Sequence, residues 1–343
     1  TRLAAEIDGV IGLLTPVPMP GNGLAARLSD MAARVASLGV LLPPAAATLA
    51  DAPREDLAYW IDAAARTVAS WRRDLDQSTD ARAALDARLA MLEDTARDMA
   101  MAMEFDFLLD PERKLLSIGY RADEGVLDPS CYDLLASEAR LASFFAIAKY
   151  DVPTRHWFRL GRPVTAIGHG AALISWSGSM FEYLMPSLVM RAPAGSLLER
   201  TSRLIVLRQM AYGASLQVPW GVSESAYSAR DLALTYQYSN FGVPGLGLKR
   251  GLSRNVVIAP YATALAAMVD PHAAALNFAR FAALGARGRH GLYEAIDYTR
   301  ARLPDGARCA VVRAYMAHHQ GMTIVALGNV LFDGRMRARF HAE

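Results

Sequence analysis

Three glutamates stand in settings that could tune a carboxyl group for chemistry. Glu138 follows Leu134 and Leu135 in a stretch that continues through Leu141 and Phe145. Glu182 lies between Trp176 and Pro186 among Phe181, Tyr183 and Leu184. Glu224 lies between Pro219 and Tyr227, beside Trp220 and the hydroxyl residues Ser223, Ser225 and Tyr227. Apolar surroundings raise a carboxyl pKa by desolvation, whereas hydroxyl donors lower it. Two carboxyls whose pKa values are pulled apart in this way are what breaking a glycosidic bond needs. The competing assignment for each is structural: a helix cap, or the ion-pair partner of an arginine.

The aromatic residues weigh toward binding. Trp176, Trp220, Tyr183, Tyr227, Tyr236, Tyr238, Phe241 and Tyr293 fall in or beside polar loops, with Asp231, Gln237, Asn240, His319 and Gln320 as neighbours. Flat rings next to amide and carboxylate groups suit a sugar, which has an apolar face and a rim of hydroxyls. The same rings could fill a core, the role expected of Trp60 and Trp71. Other chemistries find little support. Gly242–Leu248 lacks the strand-then-helix setting of a dinucleotide site, and no phosphate-cradling glycine loop occurs. His318 and His319 are adjacent, so on a helix they point in different directions, and no metal-type spacing accompanies them. No metal or cofactor is expected.

The elements that must position these residues follow from composition and periodicity. Of 343 residues, 53% are hydrophobic and 20% charged, enough for a sizeable core. Thirty-six basic side chains against 34 acidic leave a formal charge of +2, too balanced for a nucleic-acid groove. Cys131 and Cys309 lie far apart, which argues against a disulfide framework and for a reducing compartment. No apolar run is long enough to span a membrane and no signal peptide opens the chain, so a soluble piece of a longer protein is expected. Leu57, Trp60, Ile61, Ala64, Val68 and Trp71 mark one helix face, and Leu85, Leu89, Leu92, Met99 and Met103 mark another after a cap at Ser78. Residues 1–104 are therefore expected to form a helical connector, and 51–103 a helical hairpin.

Asp110–Arg113 is a turn signal between two short apolar runs, so a β-hairpin is expected within 105–120. A capping box of Ser130 and Asp133 predicts a helix through Leu134 and Phe145. Further helices are expected near 179–190, 196–216, 259–269, 271–284 and 314–331. Paired helices with long aromatic loops at one end suggest a mainly α fold, an (α/α)6 barrel of six-hairpin type over 105–343 whose mouth holds the site.

Six motifs in order carry a resemblance. They are Leu127–Phe144, His156–Phe158, Ser175–Pro186, Pro219–Tyr227, Tyr236–Gly247 and Ala317–Met322. Together they resemble the middle, glucoamylase-like domain of cyclic β-1,2-glucan synthases, large bacterial inner-membrane enzymes that carry a glycosyltransferase region before it and a phosphorylase-like region after it. The resemblance covers 105 to the end. It implies an enzyme that closes linear β-1,2-glucan into a ring, with the domain on the cytoplasmic face of the inner membrane. Endo-β-1,2-glucan hydrolysis and a non-catalytic glucan-binding module are the alternatives.

Ring closure breaks one β linkage and makes another, so configuration is retained, which for a carboxylate pair means a covalent glycosyl-enzyme. The resemblance places the pair at Glu138 and Glu224. Glu224 is expected to be the nucleophile, kept ionised among serines, and Glu138 the acid/base, kept protonated on an apolar helix, with the exchanged roles as the alternative and Glu182 the rival for either. Asp133, Trp176, Glu182, Tyr183, Trp220, Tyr227, Asp231, Tyr236, Tyr238, Asn240, His319 and Gln320 are expected to hold substrate, with Trp220 and Tyr227 beside the incoming sugar.

Overall fold

The computed structural model describes residues 2–14, 23–46 and 50–342. The chain divides into two compact units, Thr1–Ala102 and Met103–Glu343. The first contains α1 (Arg2–Leu14), α2 (Gly23–Ala46), α3 (Asp51–Leu75) and α4 (Thr79–Ala102). Helix α2 packs against α1 and α3 and buries Leu28, Val35, Leu38 and Leu42, while α3 contributes Val68. Ser78 accepts from the Ala81 N–H at 3.1 Å, so the expected cap on α4 is present. The expected apolar seam is not. Helix α4 buries no side chain, and Leu85, Leu89, Leu92 and Met99 are exposed, as are Trp60 and Trp71. The periodicity correctly marks helices, but the faces it marks are not packed against each other.

The second unit opens with short β-ribbons. β1 (Leu109–Asp110) pairs with β2 (Leu115–Leu116), and β3 (Tyr120–Arg121) with β4 (Val126–Leu127). The first ribbon is the hairpin expected from Asp110–Arg113. The Asp110 carboxylate accepts from the Glu112 and Arg113 N–H groups at 2.8 Å, which holds its pKa below the usual range. The helix expected from a Ser130–Asp133 box begins later, as α5 (Ser137–Ala148), with Ala136 at its N-cap and no side-chain cap. Asp133 instead accepts from the Leu135 and Ala136 N–H groups at 2.7 and 3.0 Å, and Asp128 accepts from the Ser130 N–H at 2.8 Å. Short acidic side chains here close local turns in place of a helix start.

After α6 (Arg155–Arg159), β5 (Val164–Ile167) and β6 (Gly170–Leu173) come α7 (Met180–Leu184), α8 (Leu197–Ser215), β7 (Ser225–Arg230) and β8 (Tyr236–Ser239). Then follow β9 (Val257–Ile258), α9 (Pro260–Ala267), α10 (Pro271–Ala283), β10 (Arg287–Gly288), β11 (Gly291–Leu292), β12 (Ala295–Asp297), β13 (Ala310–Val312), α11 (Ala317–Leu331) and α12 (Arg335–Phe340). The fold is mainly helical, and the helices expected after residue 179 are all found. Every side chain of α9 is buried, because its alanines let α7, α10 and α11 approach it closely and the Tyr261 and Thr263 hydroxyls find partners. Strands β13, β12 and β9 form one antiparallel sheet, and β7 and β8 form a ribbon. The core is continuous from Leu173 and Met180 through Ile205 and Val222 to Leu265, Phe281 and Ile296.

Candidate active site

The segment Trp220–Glu224 is fixed from three sides before it reaches β7. Asn277 of α10 accepts from the Trp220 N–H at 3.2 Å and donates to the Trp220 carbonyl at 2.7 Å. Gln209 of α8 brackets Val222 with two 2.8 Å bonds. Tyr261 of α9 donates to the Glu224 carbonyl at 2.8 Å and lies 2.8 Å from the Ser223 hydroxyl. Gly221, with φ 121° and its Cα facing the Ala259 carbonyl, lets the segment pass that close to α9. Glu224 therefore stands on a rigid frame, half-buried, with no hydrogen bond to its carboxylate among the described residues.

That setting decides its charge. Burial pushes the Glu224 carboxyl up from 4.5 to about 7, and the charges of Glu138 and Glu182 push in the same direction. The three glutamates singled out in the sequence thus share one electrostatic field. Their local settings are the reverse of those expected. The serines do not serve Glu224: Ser223 is taken by Tyr261 and by the Phe181 N–H, and Ser225 Oγ is buried without a partner. Glu138 is exposed in the first turn of α5 and accepts from Ser137 Oγ.

Glu182 is already occupied. Its carboxylate accepts from Ser175 Oγ at 2.8 Å, Ser177 Oγ at 2.7 Å and the N–H groups of Ser177 and Gly178 at 3.0 and 3.1 Å, and with Ser179 it forms the capping box of α7. Gly242 and Gly247 lie against the backbone of Ser177 and Gly178; a Cβ on Gly242 would fall 1.7 Å from the Ser177 carbonyl oxygen. The glycines of Gly242–Gly247 serve this close crossing, which leaves Trp176 projecting, 64% exposed.

Other expected binding residues divide clearly. Tyr183 is buried, with its hydroxyl on the Leu173 and Leu246 carbonyls at 3.0 and 2.7 Å, and Trp220 is 5% exposed within the core. Neither offers a face to a sugar, so the acceptor role expected of Trp220 is withdrawn: a loop tryptophan here is core. Asp133 and Asp231 close turns, Asp231 accepting from the Ala233 and Thr235 N–H groups at 2.9 Å. Tyr236 holds Arg230 at 2.6 Å, Asn240 accepts from Lys249, and Tyr227 packs edge-on against Phe241 under Arg302. Tyr238 and His319 do meet near Glu224. The Tyr238 hydroxyl lies 3.4 Å from His319 Nε2, and burial together with Glu224, Glu294 and Glu138 raises its pKa.

Sequence reasoning missed Glu294 and Tyr261. Glu294, 2% exposed, accepts from His319 Nδ1 at 2.8 Å and from the Ala226 N–H at 3.2 Å, while its Oε2 is buried without a partner. The Tyr261 ring stacks on His319 at 3.7 Å. The sequence signal was an acidic residue leading into the buried strand Ala295–Asp297. A cavity of about 240 Å³ lies behind these residues, lined by Phe278, Tyr293 and Gln320 among others. Among the described residues no cluster of three His, Cys, Asp or Glu side chains could hold a metal.

The model of the family described as putative glucoamylase matches residues 130–343. The chain belongs to that family. Over 260 residues, 76% of its length, it is 58% identical to cyclic beta-(1,2)-glucan synthase NdvB of Rhizobium meliloti (strain 1021). The resemblance carried by the six motifs is therefore found again in a relative, of whose length the match spans 9%. Among solved structures, a complex of an endo-beta-1,2-glucanase mutant from Talaromyces funiculosus with beta-1,2-glucan matches with a TM-score of 0.43 and 16% identity, over 63% of this chain and 48% of the other. Within this putative glucoamylase member, the carboxyls of Glu138, Glu182 and Glu224 all belong to the matched region. Among the described residues no helix is long and apolar enough to cross a membrane.

Proposed function

We propose that this chain is the cyclisation module of a larger cyclic β-1,2-glucan synthase, a retaining transglycosylase acting on linear β-1,2-glucan. The observation that carries this reading is a half-buried Glu224 on a rigid frame, coupled to an exposed Glu138, in a chain 58% identical to such a synthase. Depth supports the roles. The nucleophile must touch C1 directly, which suits Glu224 at the deeper position. A carboxylate destabilised there by burial is relieved by the positive charge that grows on the sugar ring in the transition state.

Glu138, nearer solvent, donates its proton to the leaving glycosidic oxygen, directly or through a sugar hydroxyl. The C1–O bond breaks as the bond from C1 to Glu224 forms. The 2-hydroxyl at the far end of the same chain then attacks C1, its proton passes to Glu138, and Glu224 leaves as a carboxylate. Projecting Trp176 is a platform for a sugar ring near the Glu182 loop. On this reading the second unit belongs to an (α/α)6 barrel with the site at its mouth. The module would work at the cytoplasmic face of the inner membrane, beside the transferase and phosphorylase-like regions, and need no cofactor.

The test is proton NMR of the newly formed anomeric centre during turnover of linear β-1,2-glucan. A β product, with rates reduced by about 10³ or more in Glu138→Gln and Glu224→Gln, supports the pair. An α product, or unchanged rates in both variants, refutes it.

A further inference from the structure

A second cavity, of about 640 Å³, is walled by α5, α6, the loop before α8 and the end of α12. That volume is in the range of small-molecule sites. Most of its wall is apolar and aromatic, with Phe144, Ile147, Trp157 and Leu197, and its cations are Arg162 and Arg191. Phe144 meets Trp157 at 6.4 Å and His341 at 5.5 Å, both edge-on. His341 Nε2 in turn accepts from the Arg191 N–H at 3.1 Å, so the aromatic wall and the basic end are joined. Arg162 is held by the Trp157 and Leu160 carbonyls at 2.6 and 2.5 Å.

The charges around this cavity are of one sign. Residues 152–163, 185–198 and 335–342 supply α6, the loop before α8 and α12. They hold seven arginines and no acidic residue, in a chain whose formal charge is only +2. Arg140 of α5 is 3% exposed, and its guanidinium reaches only the Leu134 and Tyr183 carbonyls, at 3.4 and 3.3 Å. The charge of Asp133 acts on it from beyond ion-pair distance. A buried cation calls for an anion beside it. Arg140 and the exposed Arg191 line one throat of about 10 Å³, room for a single water, and Met190, Arg191 and Leu198 continue from it into the cavity. The cavity thus has a positive end and an apolar remainder. That polarity matches a molecule with an anionic head and a hydrocarbon tail. Phe158, which also lines the cavity, is 74% exposed and stands in α6 between the exposed Arg155 and Arg159. Aromatic rings flanked by long cationic side chains are the groups that settle at a lipid–water boundary.

We propose that this cavity binds an anionic membrane lipid, with the headgroup against Arg191 and Arg162 and an acyl chain beside Trp157 and Phe144, and so seats the second unit on a membrane surface. One buried acyl chain gives only marginal attachment, and the arginines supply the second attraction to an anionic leaflet. The inference goes beyond the glucan chemistry. Binding is measured without glucan, so failure of one leaves the other standing.

The test is co-sedimentation of the whole chain with vesicles of phosphatidylcholine alone, or of phosphatidylcholine with about one third phosphatidylglycerol. Binding is expected only with phosphatidylglycerol. Arg191→Glu should weaken it at least about tenfold, and Phe158→Ser, which keeps every charge, about threefold or more. Both residues are exposed, so neither substitution disturbs the core. Phosphatidylglycerol brominated on its acyl chains should quench the tryptophan fluorescence of the unmodified chain and not that of Trp157→Phe. Equal binding to the two vesicles, or binding unchanged in both Arg191→Glu and Phe158→Ser, overturns the lipid site. Quenching that persists in Trp157→Phe overturns the place of the acyl chain. No binding to either vesicle overturns the proposal in favour of an acidic protein segment.

Discussion

Replacing Glu224 by glutamine should stabilise the fold, increasingly as pH rises from about 5 to about 7. In the folded chain burial and the charges of Glu138 and Glu182 raise the Glu224 carboxyl from 4.5 to about 7. A carboxyl that keeps its proton longer when folded favours the native state at low pH. That advantage is lost as pH rises from about 4.5 through about 7, because ionisation is then easier in the unfolded chain. Holding the proton over that interval corresponds to roughly 3 kcal/mol, which solvent access to the half-buried group reduces to about 1–2 kcal/mol. Glutamine keeps the shape and carries no charge. For a unit of this size Glu224→Gln should raise Tm by about 2–8 °C at pH 8 and leave it nearly unchanged at pH 5. Differential scanning calorimetry at the two pH values reads this directly. Equal shifts at both, or a lower Tm at pH 8, would refute the electrostatics from which the site is built.

Three further outcomes follow from the same geometry. The kcat/KM of the free enzyme should change slope near pH 7, where Glu224 ionises; a profile with no break there would remove Glu224 from the reacting pair. Glu182→Gln, which places an amide NH₂ among the donors of Ser175, Ser177 and Gly178, should cost about 2–4 kcal/mol of stability in denaturant melts while kcat in the folded fraction stays within about threefold. A stable Glu182→Gln with activity abolished would return Glu182 to the catalytic candidates. Trp176→Ala should raise KM by roughly five- to tenfold with Tm unchanged, whereas Trp220→Ala should lower stability by about 3–5 kcal/mol, and the reverse pattern would exchange their roles.

The helices were legible because their determinants are local: the apolar faces of α8, α10 and α11 repeat at helical spacing, and Ser78 announces α4. The start of α5 was not, since Asp133 can cap a helix or close a turn, and only the surrounding backbone selects the turn. Glu138 and Glu224 were singled out through motifs, whereas the serines expected to keep Glu224 ionised do not reach its carboxylate. Hydroxyl neighbours in sequence need not be neighbours of the carboxylate, and Ser223 turns to Tyr261. Trp220 reads as a loop residue but is core, because Asn277 and Thr263 satisfy its backbone and let the ring sink. Glu294 was invisible for a different reason. Its partners Ala226 and His319 lie 68 and 25 residues away, so nothing in local spacing joins them.

The most direct measurement is mass analysis of the products formed from linear β-1,2-glucan by the purified protein. A ring lacks one water relative to a linear chain with the same number of glucose units. Cyclisation through a Glu224-linked intermediate gives products one water lighter than the linear chain of equal length, with no new reducing ends, and Glu138→Gln and Glu224→Gln abolish them. Products that are all linear, with one new reducing end for every bond cleaved, would contradict transglycosylation and make the site a hydrolase.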